Sequence, residues 1–89
     1  MKHGNGEHFV YIIRCNDETY YTGYTTDIEK RINQHEAGKG AKYTRGRSPL
    51  SLVYEESFQT KGEALKREYE IKQLSRQEKE AIISEGGEK

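Results

Sequence analysis

The sequence predicts a small α+β domain, a three-stranded antiparallel sheet flanked by helices in the order β-β-α-β-α-α. Two observations carry this. Two β-branched and aromatic runs lie either side of the turn residues Asn16, Asp17 and Glu18, and three Ser/Thr-x-x-Glu patterns mark helix starts after them. With 89 residues and 31% apolar side chains, the chain is sized for one domain burying ~60% of its unfolded surface. No repeat or interior linker appears, so residues 8–85 read as the domain and 1–7 and 86–89 as frayed tails.

Residues 8–15 form the first predicted strand. Phe9, Tyr11 and Ile13 fall on one face and Val10, Ile12 and Arg14 on the other, and both faces are mostly apolar, which implies a central strand. Residues 19–25 return as its hairpin partner. If residues 15–17 are the loop, Tyr11 lies opposite Tyr21 and their hydroxyls share a face; a one-residue slip would separate them.

The first capping pattern, Thr26 to Glu29, starts a helix over residues 27–37 that stops at Gly38. Ile28, Ile32 and His35 make its inward stripe, with Arg31 on the border. A glycine-rich basic loop, 38–49, leads to a third strand over 50–58. Thr60 and Ser75 then open helices over 61–74 and from 76 to about 84.

Net charge is zero, from 15 basic and 15 acidic residues, but the charges are segregated. Residues 17–29 hold four acids and no base, whereas residues 30–50 hold six bases against Glu36 alone, a net of +5. A neutral chain with one basic segment can still dock on a phosphate backbone. Within that segment Lys39, Lys42, Tyr43, Arg45 and Arg47 alternate with glycine and small residues, which suits contact with a nucleic-acid backbone, and a functionless solvated loop is the alternative. The single cysteine, Cys15, has no intramolecular disulfide partner and reads as packing, as do Tyr24 and Tyr54, while His3 and His8 read as surface residues. No stretch approaches the ~18 apolar residues of a membrane span and no leader is evident, so the expected compartment is the cytoplasm.

Two charged residues stand where apolar ones are expected. Arg31, beside its helix's inward stripe, either snorkels to a carboxylate or presents a planar fork that holds two phosphate oxygens. Glu68 lies four after Ala64, three after Leu65 and three before Ile71, inside an apolar pattern. Glutamate is rarely buried alone, so Glu68 is either half of an ion pair or a metal ligand, and one carboxylate suffices for a Mg²⁺ that keeps several waters.

Phe9-Val10-Tyr11 and Tyr21-Thr22-Gly23 resemble the motifs of the GIY-YIG nuclease superfamily, in which a Gly-Ile-Tyr strand and a Tyr-Ile-Gly strand open a small domain. The resemblance runs from about residue 9 to residue 83. It implies catalytic roles for Tyr11, Tyr21, Arg31 and Glu68, with Glu68 as metal ligand for Mg²⁺ or Mn²⁺, and the Arg-x-x-x-His spacing of some members is matched by Arg31 and His35. It further implies hydrolysis of DNA phosphodiester bonds, with a preference for flaps, nicks or branches of the kind met in repair or recombination. Phe9 and Thr22 depart from the motifs at positions that touch no reacting side chain and read as tolerable, and no asparagine follows Glu68 where many members carry one on a late helix; Lys72 or Lys79 is the candidate to take over a phosphate contact. No DNA-targeting domain is appended, as in the small stand-alone bacterial members. The other reading is a nucleic-acid-binding or interaction module that keeps the fold with little or no cleavage.

Overall fold

A computed structural model describes residues 7–39, 46 and 49–87. The expected order holds: β1 (His8–Arg14), β2 (Tyr20–Thr25), α1 (Ile28–Glu36), β3 (Ser51–Phe58), α2 (Lys61–Lys72) and α3 (Arg76–Ile82), which widens into a π turn at Ile83–Gly87. The sheet order is β2-β1-β3 and both pairings are antiparallel. The tails are only partly covered: the Glu7 amide donates to the Phe58 carbonyl at 3.1 Å, and residues 1–6 and 88–89 lie outside the described residues.

β1 runs through the middle because both its faces are apolar and both are covered. Phe9, Tyr11, Ile13 and Cys15 pack with Ile28 and Ile32 of α1, with Leu50, and with Tyr21. Val10 and Ile12 pack on the opposite face with Ala64 and Ile71 of α2, and with Leu74, Ile82 and Ile83. α1 therefore covers one face and α2 and α3 the other.

The hairpin register differs from the expected one. Tyr21 pairs with Ile13, and Tyr11 pairs with Gly23. The loop is Asn16-Asp17-Glu18, closed by Glu18 N–H to Cys15 C=O and Cys15 N–H to Thr19 C=O, both 2.8 Å, with Glu18 at φ 68°. A three-residue loop ending in a left-handed residue is a standard hairpin closure, and Asp17 makes it affordable by accepting from the Thr19 hydroxyl at 2.6 Å and amide at 3.3 Å. Sliding the loop by one residue moves the pairing by two, an even shift, so the two tyrosines stay on the same face.

Helix α1 also starts one residue late. Asp27, not Thr26, is the N-cap, accepting from the Lys30 amide at 3.1 Å, while Thr25 Oγ1 accepts from the Asp27 amide at 3.1 Å. At the other end, Gly38 N–H bonds His35 C=O at 3.0 Å and Lys39 N–H bonds Gln34 C=O at 2.8 Å, with Gly38 at φ 78°. This is the Schellman closure, and it ends α1 just beyond His35. Thr60 and Ser75 cap α2 and α3 as expected, Ser75 with the full reciprocal box through Glu78.

On the second face, Arg67 fixes α2 against β3. Its Nε donates to Glu56 at 3.0 Å and its Nη1 to Glu70 at 3.3 Å, while the Tyr54 hydroxyl donates to Glu56 at 2.7 Å. With Ala64 and Ile71 fully buried, α2 is locked in rotation, and that sets where Glu68 points. His8 departs from the surface role expected of it: its Nδ1 lies 2.8 Å from the Tyr24 hydroxyl and the two rings stack at 6.0 Å.

Candidate active site

The site is built around Tyr11, whose side chain is 0% exposed. Its ring crosses over Gly23 on the edge strand: a Cβ at Gly23 would stand 2.6 Å from Tyr11 Cζ and closer still to the hydroxyl. Gly23 is the one residue type that lets this ring lie flat across the strand. The Tyr11 hydroxyl thereby reaches the helix above, 3.0 Å from His35 Nε2 and 3.4 Å from Arg31 Nε, which donates to it.

His35, 1% exposed, touches both tyrosines edge-on, with ring centroids 5.9 Å from Tyr11 and 5.4 Å from Tyr21. The tyrosine rings themselves lie 6.4 Å apart. Arg31 is half-buried beside them, its Nη1 held 3.1 Å from Gln34 Oε1. Spacings of three and four on α1 put Arg31, Gln34 and His35 on neighbouring positions of one face, so the helix presents a cation and an imidazole to the same hydroxyl.

Electrostatics sort these groups by charge. Burial pushes the Tyr11 hydroxyl above its usual 10.0, a shift the hydrogen bond from Arg31 opposes and nearby Tyr21 and Glu68 reinforce. Burial, then the Arg31 charge, pushes His35 below its usual 6.5. At neutral pH the imidazole is thus uncharged. In the tautomer with Nε2 unprotonated, the Tyr11 hydroxyl donates to Nε2 while accepting from Arg31.

Glu68 lies on α2, which packs on the other face of the sheet, and its charge helps to raise the Tyr11 pKa. It differs from the buried position its pattern predicts. The side chain is 18% exposed and its Oε2 lies 3.1 Å from Lys72 Nζ one turn on, while Leu65, expected inside the stripe, is exposed. Among the described residues no three of His, Cys, Asp and Glu cluster into an all-protein metal cage. What Glu68 offers is one partly exposed carboxylate, paired with Lys72, a hard-oxygen donor of the type that fits a hydrated Mg²⁺ or Mn²⁺ completed by substrate phosphate.

Tyr11, Tyr21, Arg31 and His35 are therefore gathered on the α1 face of the sheet, while Glu68, on α2, reaches Tyr11 through its charge. The basic loop is not part of that picture: Lys39 is exposed just past the α1 closure, and Lys42, Tyr43, Arg45 and Arg47 lie outside the described residues. Sequence reasoning overlooked Gly23 as the seat for Tyr11 and Gln34 as the holder of Arg31. The first was legible only as a motif letter, and the second had the i, i+3 spacing to Arg31 as its signal.

The sheet thus carries α1 on one face, with two tyrosines, an arginine and a histidine in contact beneath it, and α2 on the other. The GIY-YIG catalytic-domain profile matches residues 7–81, and the chain belongs to this family. It is similar to a UPF0213 protein of Halobacterium salinarum, at 63% identity over 85% of this chain and 99% of that one. A UPF0213 protein of Staphylococcus saprophyticus is 61% identical over 90% and 98% of the two chains. Among solved structures, the NMR structure of the UPF0213 protein BH0048 from Bacillus halodurans is 54% identical with a TM-score of 0.62, covering 91% of this chain and 86% of that one. The NMR structure of the protein EF2693 from E. faecalis is 38% identical with a TM-score of 0.63, covering 94% and 88%. Among the described residues no helix is long and apolar enough to cross a membrane.

Proposed function

We propose that this domain is a divalent-metal-dependent endonuclease that hydrolyses DNA phosphodiester bonds, reading backbone shape rather than base sequence. The observation that carries the reading is the Tyr11 hydroxyl held between a neutral imidazole and a guanidinium, 3.0 Å from His35 Nε2 and 3.4 Å from Arg31 Nε. A tyrosine whose pKa is raised is a poor base by itself. Next to an uncharged His35 it becomes a relay: as the phenol oxygen takes a proton from water, its own proton passes to Nε2.

The nascent hydroxide forms a bond to phosphorus, and the bond to the leaving oxygen breaks; that oxygen takes its proton from solvent. Arg31, released from Gln34, turns its fork to the non-bridging oxygens, where negative charge grows in the transition state. That same movement would uncover Tyr11, which is fully buried. Tyr21, half-buried on the same face, lines the entrance. Glu68 would hold the divalent ion, which when bound supplies Lewis-acid stabilisation of the phosphate and leaving-group charge. Lys39 and the basic loop beyond α1 would contact flanking phosphates.

A module that binds nucleic acid without cleaving it is favoured by a single observation, the complete burial of the Tyr11 hydroxyl. The two readings separate in one experiment. End-labelled duplex, single-stranded, flap and branched DNA are incubated with Mg²⁺ or Mn²⁺ and wild type, Tyr11→Phe, Arg31→Ala or Glu68→Gln. The nuclease reading expects cleavage by wild type and losses of about 10²–10³-fold or more in each variant. Equal cleavage by all four proteins, or none by folded wild type, defeats it.

A further inference from the structure

Of four clefts among the described residues, one differs in charge from the other three. The cleft beside Ser57 and Arg67 includes Glu63 and Glu70, the one beside Arg31 includes Asp27, and the one beside Ile32 includes Glu29. The fourth, of about 220 Å³, is lined by Tyr20, Tyr21, Thr22, Lys72 and Lys79 and has no carboxylate in its wall. It lies along the outer edge of β2, where α2 and α3 each contribute one lysine.

Two side chains there are hard to explain by folding alone. Thr22 is 4% exposed, and its hydroxyl has no hydrogen-bond partner among the described residues. A buried hydroxyl left unpaired costs stability that valine would not, so its retention points to a partner that arrives with a ligand. Lys79 is half-buried with no ion pair among the described residues, although α3 and α2 are rich in acids. α3 is held in place by Arg76, which lies over the Tyr20 ring at 4.9 Å, donates to Glu80 at 3.0 Å and donates to the Glu18 carbonyl at 2.8 Å. Lys79 is thereby kept on the wall by the docked helix and not by a carboxylate.

We infer that this cleft is an anion subsite holding a phosphodiester of the substrate strand next to the scissile one, with Lys79 neutralising it, Lys72 shared between it and Glu68, and the buried Thr22 Oγ1 turning into the cleft to bond it. Tyr21 lines both the cleft and the tyrosine cluster, and Lys72 joins the cleft to Glu68 through their 3.1 Å pair. A strand running from one to the other follows the edge of β2. This inference rests on the nuclease reading for the identity of the ligand, and its chemistry, a phosphate diester, is shared by free phosphate and by a polynucleotide.

The test measures binding of the full chain to a fluorescent single-stranded and a duplex oligonucleotide across a salt series, without a cleavage-supporting metal. Lys79→Gln is expected to weaken binding equally for unrelated sequences and to lower the slope of log K against log salt by about 1. Thr22→Val is expected to weaken binding about tenfold while the melting temperature stays level or rises, the opposite of what a purely structural hydroxyl would give. Lys66→Gln, on the cleft beside Arg67, is the control and leaves the slope unchanged. An unchanged slope in Lys79→Gln overturns the subsite even if wild type cleaves DNA. A lowered slope upholds it even if no cleavage is found. Inorganic phosphate alone, followed by amide NMR shifts at Thr22 and Lys79, distinguishes the sources: shifts equal to those with oligonucleotide would mean a free-anion site and overturn the strand assignment.

Discussion

Replacing Gly23 by alanine separates the packing role of this position from any chemistry. The added methyl would sit 2.6 Å from Tyr11 Cζ and 3.1 Å from Cε1, and closer to the hydroxyl, so the ring must leave the strand. The ring has little room: Tyr11 is fully buried in the cluster with Phe9, Ile13 and Ile28, and its hydroxyl is tied to His35 and Arg31. Overpacking a core costs about 1–3 kcal/mol, and pulling the hydroxyl from its partners adds about 1 kcal/mol. A total of about 2–4 kcal/mol would lower the melting temperature by roughly 10–25 °C in a domain of this size. Thermal and urea melts read the loss, and the Tyr11→Phe background shrinks it without abolishing it, because the hydroxyl goes and Cζ stays. Gly62→Ala is the comparison: nothing lies within 4 Å of its would-be Cβ near the start of α2, so helix propensity makes it neutral to stabilising by up to ~1 kcal/mol. If Gly23→Ala melted like wild type with Tyr11 still against His35, the geometry claimed for the ring would be wrong.

The remaining expectations concern titration and capping. His35 should titrate by NMR with a midpoint below 6.5, because burial and Arg31 disfavour its charged form; a midpoint at or above that value would contradict the neutral imidazole. Its folded pKa lies below its unfolded one, so the native state binds fewer protons in that interval. Stability from this group is fully present above the unfolded pKa and is lost as pH falls from about 6.5 through the folded value; His35→Gln should flatten that part of a melt-versus-pH profile. Asp27→Ala should destabilise by about 1 kcal/mol and Thr26→Ala by less than about 0.5 kcal/mol in chemical denaturation; the reverse order would return the cap to Thr26.

These tests fall where sequence and structure part, and the reasons are local. Strand and helix identities were legible because both faces of β1 are apolar and because Thr60 and Ser75 advertise their helices. The hairpin register was not legible, since it turns on Glu18 adopting φ 68°, a conformation that favours glycine or asparagine and that residue type here does not announce. The start of α1 was ambiguous because Thr25, Thr26 and Asp27 are all competent oxygen acceptors. Asp27 takes the cap, and Thr25 serves it by accepting from the Asp27 amide.

The shared face of Tyr11 and Tyr21 is indifferent to the two-residue difference in register because side-chain facing depends only on parity. A shift of two left Tyr21 beside Tyr11, though diagonal to it, and 3.6-residue periodicity set Arg31 and His35 over the same hydroxyl. Glu68 was misjudged in degree: Lys72 stands four residues on, the spacing of a helical ion pair, and with it the carboxylate needs no deep burial to be held. The sequence offered Lys72 and Lys79 as phosphate contacts but not the cleft at β2 that brings them to Thr22. Thr22, Lys72 and Lys79 come from three elements, and only the docking of α3 on Tyr20 through Arg76 brings the last of them to the strand. Read as a strand position, Thr22 looked like a tolerable substitute for an apolar residue. Its meaning changes once the hydroxyl is seen buried and without a partner among the described residues in the wall of a cleft that Lys72 and Lys79 also line, because such a polar atom costs stability that an apolar residue would not.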